Sequence, residues 1–462
     1  MDERNQSVLD DSRIGRLLLK LSMPAFIGMF VMTLYNVIDT IFIGHYVGHL
    51  GIGGLSIVFP LQMLSMGVGQ MTGMGGASVI SRLIGADKID RAERAVGNAL
   101  TAVVGLSLII TIAGLVNTDW WLRLMGSTDN ILPYARDYMT IILAGTVFPT
   151  FAMTLNGLIR SEGNARVAMT GMIIGAVSNT IMDAIFIISL DMGIQGAALA
   201  TVIAQIISAA YLIRYYFSGK SFLKLHARNL APEWGILKSI LVIGIASFAR
   251  TLAGSLSAIF ANRILGVYGG DYAVSAFGII NRIMMFAIMP GIVVGQGLQP
   301  VLGFNHGAKR YGRALKAIKI AIISATVCAI IVFLVVHFFP EPFIRIFTDD
   351  TELITLAVYA AKRVFLALYL VGFIMVGSLI FQSTGKAVQS FITAISRAVL
   401  FLIPLLLILP RFMQLDGVWY AFPIADILTF LLTLVLVIRQ VRELRKNRML
   451  SMSDVEKKKP AV

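Results

Sequence analysis

The sequence is poor in cysteine and in charge. Its 462 residues include one cysteine, Cys328, so an intrachain disulfide and a cysteine-based metal cluster are both excluded. Only 14% of the residues are charged, whereas 57% are hydrophobic and the mean hydropathy is +0.82. The apolar runs are longer than the ~20 residues that cross a bilayer. This composition indicates a polytopic membrane protein.

Several other patterns are missing, and each absence removes a class of protein. The sequence has no short alternating segments, and continuous apolar runs such as 318–339 exclude a transmembrane β-barrel. It also has no HExxH motif and no cluster of cysteine and histidine. The glycine-rich segment 67–76 lacks the GKS or GKT ending of a phosphate-binding loop. We therefore expect a protein that is not an enzyme and that needs no cofactor.

The apolar runs predict an all-α integral membrane fold with twelve transmembrane helices. Continuous apolar stretches, separated by polar or basic loops, set the limits of these helices. The predicted spans are 17–44, 54–81, 95–116, 133–159, 167–190, 194–217, 236–266, 274–303, 315–339, 353–381, 388–410 and 416–438.

Lysine and arginine are concentrated in alternate loops, which predicts the orientation of the chain. Loops near 82–94, 160–166, 220–228 and 309–319 are basic, as are both ends of the sequence, whereas the intervening loops are poor in bases. The positive-inside rule places the basic loops and both termini in the cytoplasm of a cell-membrane protein. It also accounts for the net charge of +14 without a nucleic-acid partner. The basic tail is expected to touch anionic membrane lipids.

The two halves of the sequence match at a nearly constant offset of 222 residues. Gly44 falls on Gly266, Tyr46 on Tyr268, Gly48 on Gly270 and Arg123 on Arg345. Such a match, sustained across a whole half, indicates an internal duplication. The predicted divisions are an N-terminal six-helix bundle at 1–217, a cytoplasmic linker at 218–235, a C-terminal six-helix bundle at 236–440 and a basic cytoplasmic tail at 441–462.

Each half has an even number of predicted helices, so both halves enter and leave the membrane on the same side. The halves are therefore parallel repeats, related by a pseudo-two-fold axis along the membrane normal. Two such bundles predict a central cavity that opens alternately to either side, which is the architecture of a secondary transporter. A receptor or a channel also remains open at this stage.

Two aspartates, Asp39 and Asp183, are each the only charge in a long apolar stretch. An ionisable residue at membrane depth indicates a functional site by default. Counting along the predicted helices places both acids and Thr201 about 7 to 11 Å below the same outer surface. Asn36 and Asn179 share a helix face with Asp39 and Asp183, and Tyr35 precedes Asp39 by four residues, on the same face. Such an oxygen-rich group can hold either a shared proton or a sodium ion.

The duplication shows that these acids belong to the first half alone. Asp39 falls on Ala261 and Asp183 on Leu405 in the second half. The second half instead carries arginines at membrane depth. Arg397 is expected to pair with Asp426 on the adjacent helix, whereas no partner is evident in the sequence for Arg250 and Arg282.

These residues together resemble the multidrug and toxic compound extrusion (MATE) family, and its MepA-like bacterial branch in particular. The resemblance covers essentially all twelve predicted helices, and the segment 296–300, Gln-Gly-Leu-Gln-Pro, extends it into the second half. The residues that carry it in the first half are Pro24, Asp39, Asn179, Asp183 and Thr201.

The resemblance implies a secondary active antiporter that exports amphipathic, often cationic compounds in exchange for protons or sodium. It implies that Asp39, Asn179, Asp183 and Thr201, with Asn36 nearby, form the coupling-cation site, with sodium as the one candidate metal. Some branches of the family also have acids in helices 7 and 10, which this sequence lacks within the membrane. Pro24 corresponds to a proposed hinge, although an ordinary transmembrane kink is an equally good interpretation.

The remaining expectations concern the substrate and the assembly. If Arg250 and Arg282 line the cavity, an anionic or zwitterionic substrate becomes plausible, so export or flipping of an amphipathic or lipid-linked metabolite is the alternative function. A monomer is expected. The candidate substrate-binding residues are Tyr35, Asn156, Gln205, Arg250, Arg282 and Met285.

Overall fold

The computed structural model describes residues 9–11, 13–47 and 49–457. Within its helices, the side chains at 36–38, 40, 41, 43–45, 49, 50, 52 and 452–457 lie outside the described part, as do Gly48 and residues 458–462 altogether. The described residues form helices and no strand, which confirms the all-α prediction.

Eight helices and a 3₁₀ turn occupy the first half. The helices are α1 (Ile14–Tyr46), α2 (His49–Gly85), α3 (Ile89–Val116), α4 (Thr118–Leu124), α5 (Leu132–Gly145), α6 (Val147–Ser161), α7 (Ala165–Asp183) and α8 (Gly193–Phe217). A π-helical turn (Ala184–Ser189) continues α7, and the 3₁₀ turn (Ala227–Leu230) lies in the linker.

The second half repeats this order. Its helices are α9 (Trp234–Gly307), α10 (Tyr311–Phe338), α11 (Pro340–Arg345), α12 (Thr351–Val364), α13 (Leu368–Ser383), α14 (Ala387–Ile395), α15 (Ile403–Ile408) and α16 (Pro410–Lys457). A 3₁₀ turn (Phe365–Ala367) joins α12 to α13, and a π-helical turn (Ser396–Leu402) joins α14 to α15.

Nine helices of the described residues are each long and apolar enough to cross a membrane, and one bent pair makes a tenth. α5 and α6 form one span bent by 48°, and α9 divides into two spans at Gly270, where φ is 63°. The last helix differs from the prediction, because α16 continues to Lys457 instead of ending at 438. Hydropathy marks where a helix leaves the membrane, but Leu, Arg, Glu, Lys and Met favour continued helix in water.

The chain divides into two compact units, and two helices contribute to both. Among the described residues, the first unit contains 9, 10 and 23–251, and the second contains 11–22 and 252–457. The change from one unit to the other therefore falls inside α1, between Ser22 and Met23, and inside α9 after Thr251. The domain limits inferred above stay a prediction.

Each unit has its own apolar core, and small residues allow a close helix crossing in the first. Gly73 on α2 faces Gly157 on α6 so closely that a Cβ at position 157 would lie 2.8 Å from the Gly73 carbonyl oxygen. Beside this crossing the hydroxyls of Thr72 and Thr154 lie 2.7 Å apart. Small residues and buried hydroxyl pairs of this kind hold helices together where lipid gives no hydrophobic drive.

Backbone torsions repeat at the same offset as the sequence. Asp87 and Lys309, 222 positions apart, have φ of 57° and 56°. Gly163 and Gly385, separated by the same number, have φ of 91° and 78°. The short helices α4 and α11 also begin 222 positions apart, at Thr118 and Pro340. The internal duplication thus extends to the geometry of the turns.

The linker is fixed to the first unit by buried hydrogen bonds. Glu162 Oε2 accepts from the Ser221 hydroxyl at 2.7 Å, the Phe222 backbone N–H at 3.2 Å and the Tyr215 hydroxyl at 3.4 Å. Further along, Asn98 Oδ1 accepts the Glu233 N–H at 2.7 Å. Burial of the carboxyl raises the pKa of Glu162 to about 7, although its hydrogen-bond donors lower it.

The Glu162 carboxyl predicts a pH dependence of stability. The unfolded chain releases this proton near the ordinary pKa of 4.5, but the folded chain retains it until about 7. The folded state therefore binds more protons between these values, and stability falls as the pH rises through this window. Thermal unfolding midpoints at several pH values should show a smaller fall for Glu162→Gln. The control is Glu93→Gln, because Glu93 also accepts a linker N–H, from Lys224 at 2.9 Å. Equal slopes for Glu162→Gln and wild type would contradict the prediction.

The expected pair of Arg397 and Asp426 is present in the second unit. Arg397 Nε lies 2.5 Å from Asp426 Oδ1 and Nη2 lies 3.3 Å from Oδ2, with the Asp426 side chain 1% exposed. Arg397 occupies the π-helical turn after α14, and Asp426 is on α16. This two-point contact keeps both charges neutralised inside an apolar helix bundle.

Removing one member of this pair should cost more than removing both. Asp426→Asn leaves a partly buried guanidinium without its counter-charge, which costs up to about 3–5 kcal/mol of unfolding free energy. The double variant Arg397→Met/Asp426→Leu removes both charges at similar volume and should recover part of that loss. Equilibrium unfolding in mixed micelles measures the difference, and additive losses in the two single variants and the double variant would contradict a direct pairing.

Candidate functional site: a carboxyl pair in the first unit

Asp39 and Asp183 meet inside the first unit. Asp39 is on the last third of α1 and Asp183 is the final residue of α7, and their carboxyl groups lie within hydrogen-bonding reach of each other. Asp183 is fully buried and Asp39 is partly buried. One oxygen of each, Oδ1, is buried and accepts no hydrogen bond from the described residues. Two carboxyl groups in contact need a proton or a cation to offset their repulsion.

Asn179 and Thr201 complete one side of this pair, as the sequence predicts. Asn179 lies one helical turn before Asp183, and its amide also lies 3.4 Å from Thr201 Oγ1 on α8. The amide orientation that satisfies its neighbours donates to Asp183 Oδ2 at 3.2 Å and accepts from the Thr201 N–H at 3.3 Å. Asn179 therefore ties α7 to α8 and holds one oxygen of Asp183 in place.

Two further polar residues near the pair are absent from the sequence-based prediction. Gln62 Nε2 on α2 donates to the Tyr138 hydroxyl on α5 at 3.1 Å, and Tyr138 is buried. Tyr138 lies near Asp39, Asp183 and Tyr35. Depth could have identified Tyr138. It lies five residues after the predicted outer start of its helix at 133, about 8 Å below the outer surface, which is also the depth of the acids.

The local helix geometry helps to position Asp183. α7 ends at this residue, and a π-helical turn from Ala184 to Ser189 follows at once. A π turn widens the helix and shifts the side chains around it, and such turns are frequent at functional sites. Asp183 therefore sits where a regular helix becomes irregular, which is a feature that hydropathy does not reveal.

The structure gives the other first-unit candidates different surroundings. Asn36 is in α1, but its side chain lies outside the described part. Tyr35 lines a shallow groove between α1 and α7 with Leu34 and Val177. Asn156 is buried away from the pair and donates to the Ala168 carbonyl at 2.8 Å, which joins α6 to α7.

Gln205 faces α7 from α8, since its Nε2 is 4.0 Å from where a Cβ on Gly175 would lie. Its substrate-binding role stays a prediction, as do those of Tyr35 and Asn156.

The remaining candidates are on α9. Arg250 is half-buried, within the part of α9 that belongs to the first unit. Arg282 is exposed on the second unit, and its guanidinium lies over the Phe347 ring, 5.7 Å from the centroid. The sequence shows no partner for Arg282, and the structure supplies an aromatic face after α11 that attracts the cation. Met285, one turn along on the same face, is 56% exposed.

Asn179 should be more important for stability than its polar neighbour Thr180. Asn179→Leu leaves Asp183 Oδ2 and the Thr201 N–H without this partner, and a buried unpaired group costs about 1–3 kcal/mol. Thr180→Val is the matched control, since the Thr180 hydroxyl bonds only the Ala176 carbonyl of its own helix, at 3.1 Å. Thermal unfolding should show the larger loss for Asn179→Leu, and equal losses would contradict the bridging role.

Comparison with protein families finds the same duplication. The MatE family model matches residues 24–185 and again 245–408. Among curated proteins, the multidrug export protein MepA of Staphylococcus haemolyticus (strain JCSC1435) is 26% identical over 439 residues, which cover 95% of this chain and 96% of MepA. MepA of Staphylococcus aureus (strain MSSA476) is 25% identical with the same coverage.

Solved structures agree with these matches. The MATE multidrug transporter DinF-BH is 43% identical with a TM-score of 0.86, covering 92% of this chain and 95% of its own. A MOP superfamily transporter from Pyrococcus furiosus Vc1 (DSM3638) is 26% identical with a TM-score of 0.91, covering 96% and 99%. Both the fold and its whole length are therefore shared with known transporters.

Proposed function

Because this chain belongs to the MatE family and is a multidrug efflux transporter, we propose that it exports amphipathic, cationic small molecules in exchange for protons or sodium. Members of the family are transporters, which confirms that the chain is not an enzyme. They need no cofactor, and they are multi-pass proteins of the cell membrane. The antiport, its coupling ion and the residues that bind it are the parts we propose.

The contact between Asp39 and Asp183 carries the proposal. Two carboxyl groups side by side in a bilayer cannot both stay ionised unless a cation compensates them. A cation that enters from outside would therefore bind there, and its departure to the inside would leave an unfavourable charge. The site is thus neutralised when it is open to the outside and charged when it is open to the inside. An antiporter needs such a change to drive a second molecule outward.

The direct contact between the carboxyl groups favours a proton as the coupling ion. Two oxygens that share a proton must lie within hydrogen-bonding distance of each other. A sodium ion instead lies among several oxygens and keeps them apart. Sodium remains open, because Asp39 Oδ1 and Asp183 Oδ1 accept nothing from the described residues and the Asn179 and Thr201 oxygens are close. No group of three or more acidic, cysteine or histidine side chains that could hold a metal ion occurs in the described residues.

Substrate and cation would bind the transporter in turn, as it opens to one side of the membrane and then to the other. A membrane potential of 100 mV contributes ~2.3 kcal/mol per charge moved, about a fifty-fold bias. This is ample to favour uptake of one net positive charge and release of the drug.

Pro24 is proposed as the hinge in α1. A proline has no N–H to donate, so the Lys20 carbonyl one turn earlier loses its helical hydrogen bond. Lys20 belongs to the second unit and Pro24 to the first, because the chain changes units between Ser22 and Met23. The turn of α1 that lacks this hydrogen bond therefore coincides with the change of unit.

The remaining features of the proposal rest on the sequence. We place both termini in the cytoplasm by the distribution of lysine and arginine, and we propose that the monomer is the transporting species, surrounded by membrane lipids. Export of an anionic or lipid-linked metabolite is not favoured, because the matched relatives are multidrug transporters.

Neutralising either acid should abolish ion-driven efflux. Asp39→Asn and Asp183→Asn keep the size and a hydrogen bond of each side chain, but neither can bind and release a cation. In proteoliposomes with an imposed pH gradient or sodium gradient, both variants should lose at least tenfold in fluorescent-cation efflux. Wild type under each gradient identifies the ion.

The matched control for these variants is Asp191→Asn. Asp191 is exposed, eight residues beyond Asp183, with φ of 49°, a torsion that asparagine also tolerates. It should transport like wild type. Full transport by Asp39→Asn and Asp183→Asn under both gradients would exclude the carboxyl pair as the coupling site.

A further inference from the structure

The second unit has a groove between two helices that nothing above explains. It lies between the first part of α10 and the extended part of α16, and its cavity volume is about 800 Å³. Its lining residues recur every three or four positions on each helix, so that one face of α10 opposes one face of α16. They are Gly312, Leu315, Lys316, Ile318, Lys319, Ile322 and Ile323 on α10, with Val441, Arg445, Arg448 and Met449 on α16.

The groove has a basic rim. Lys316, Lys319, Arg445 and Arg448 all line it, and within the described residues no carboxylate lies within 4 Å of these four side chains. Arg448 packs against α10 at Gly312, since a Cβ there would be in van der Waals contact with Arg448 Nε, at 3.5 Å. The nearby Lys386 differs, because it pairs with Glu443 on the other side of α16. The charge of the rim is thus left for a ligand.

The floor of the groove is apolar, and it lies deeper in the membrane than the rim. α10 begins at Tyr311. At ~1.5 Å per residue, Lys316 and Lys319 lie about 8 and 12 Å along the helix, whereas Ile322 and Ile323 lie about 17 Å along it. Ile323 is 51% exposed, so the floor opens sideways to the hydrocarbon. The groove changes from cationic to apolar over the distance that separates a headgroup from its acyl chains.

We propose that this groove binds one anionic phospholipid of the leaflet on the basic side of the protein. The phosphate would lie between Lys316, Lys319, Arg445 and Arg448, and an acyl chain would lie along Ile322 and Ile323. Basic pockets between transmembrane helices are the sites that hold such headgroups. A free phosphate would use the rim but not the floor, and a soluble protein partner could not reach the floor inside the bilayer.

This site gives the helical extension of α16 a binding role. α16 continues beyond the predicted span, and its residues 441–449 lie beside α10. A bound anion would offset the repulsion between the two basic helix faces. The proposal does not depend on the coupling ion or on the Asp39 and Asp183 pair.

Native mass spectrometry of the delipidated protein, incubated with equal amounts of phosphatidylglycerol and phosphatidylcholine of matched acyl chains, tests the proposal. Wild type should retain phosphatidylglycerol at least tenfold better. Replacing all four rim residues, Lys316→Gln, Lys319→Gln, Arg445→Gln and Arg448→Gln, should reduce the preference to less than twofold. The milder pair Lys316→Gln/Lys319→Gln should reduce it partway, which covers the case in which the fourfold variant does not fold.

Two controls separate this site from simpler explanations. Arg439→Gln/Arg442→Gln/Lys446→Gln removes three basic residues of α16 that do not line the groove, and it should leave the preference unchanged. Ile323→Trp fills the floor without altering charge and should lower phosphatidylglycerol retention at least fivefold.

Three results would overturn the proposal. The first is equal retention of both lipids by wild type, and the second is an equal loss in the triple control variant. The third is binding of glycerol 3-phosphate as tightly as phosphatidylglycerol with no effect of Ile323→Trp, which would indicate a site for free phosphate.

Discussion

Charge buried among apolar helices must be neutralised by a group held within contact distance, and much of this structure follows from that constraint. The two units satisfy it differently. In the second unit, Asp426 is matched by Arg397, a cation that belongs to the chain and cannot leave. In the first unit, Asp39 meets another acid, Asp183, and no side chain in the described part supplies the missing positive charge. The first arrangement is static, whereas the second depends on a cation that can come and go.

The same constraint explains the polar neighbours of the acids. A carboxyl in a bilayer has little water to complete its hydrogen bonds, so protein groups must do so. Asn179, Thr201, Gln62 and Tyr138 form hydrogen-bonded contacts around the pair. They come from α7, α8, α2 and α5, and these helices need their apolar cores to stay aligned. The geometry of the site and the stability of the first unit are therefore coupled.

Features with a strong chemical pattern could be predicted from the sequence. Long apolar runs predicted the twelve spans, and the constant offset predicted the duplication. Counting residues placed Asp39, Asp183 and Thr201 at one depth, because a helix rises by a fixed amount per residue. The pair of Arg397 and Asp426 followed from opposite charges on adjacent spans.

Features that depend on how helices face each other could not be predicted. Nothing in the sequence shows that Tyr138 points toward the acids, or that Arg282 lies over the ring of Phe347. The continuation of α16 was missed because the prediction used hydropathy. Hydropathy indicates which residues lie in the membrane, but it does not indicate where a helix ends. The division of α1 at Ser22 also depends on packing, which is invisible in a single sequence.

The turns at Asp87 and Lys309 have one more consequence. The two residues carry opposite charges, yet each has a left-handed torsion that costs an ordinary side chain roughly 1–2 kcal/mol. After the ancestral gene doubled, substitution reversed the charge at this position and left the unfavourable torsion unchanged. At this turn the backbone angle has thus changed less than the side chain. Such angles can reveal common descent between repeats whose sequences have largely diverged.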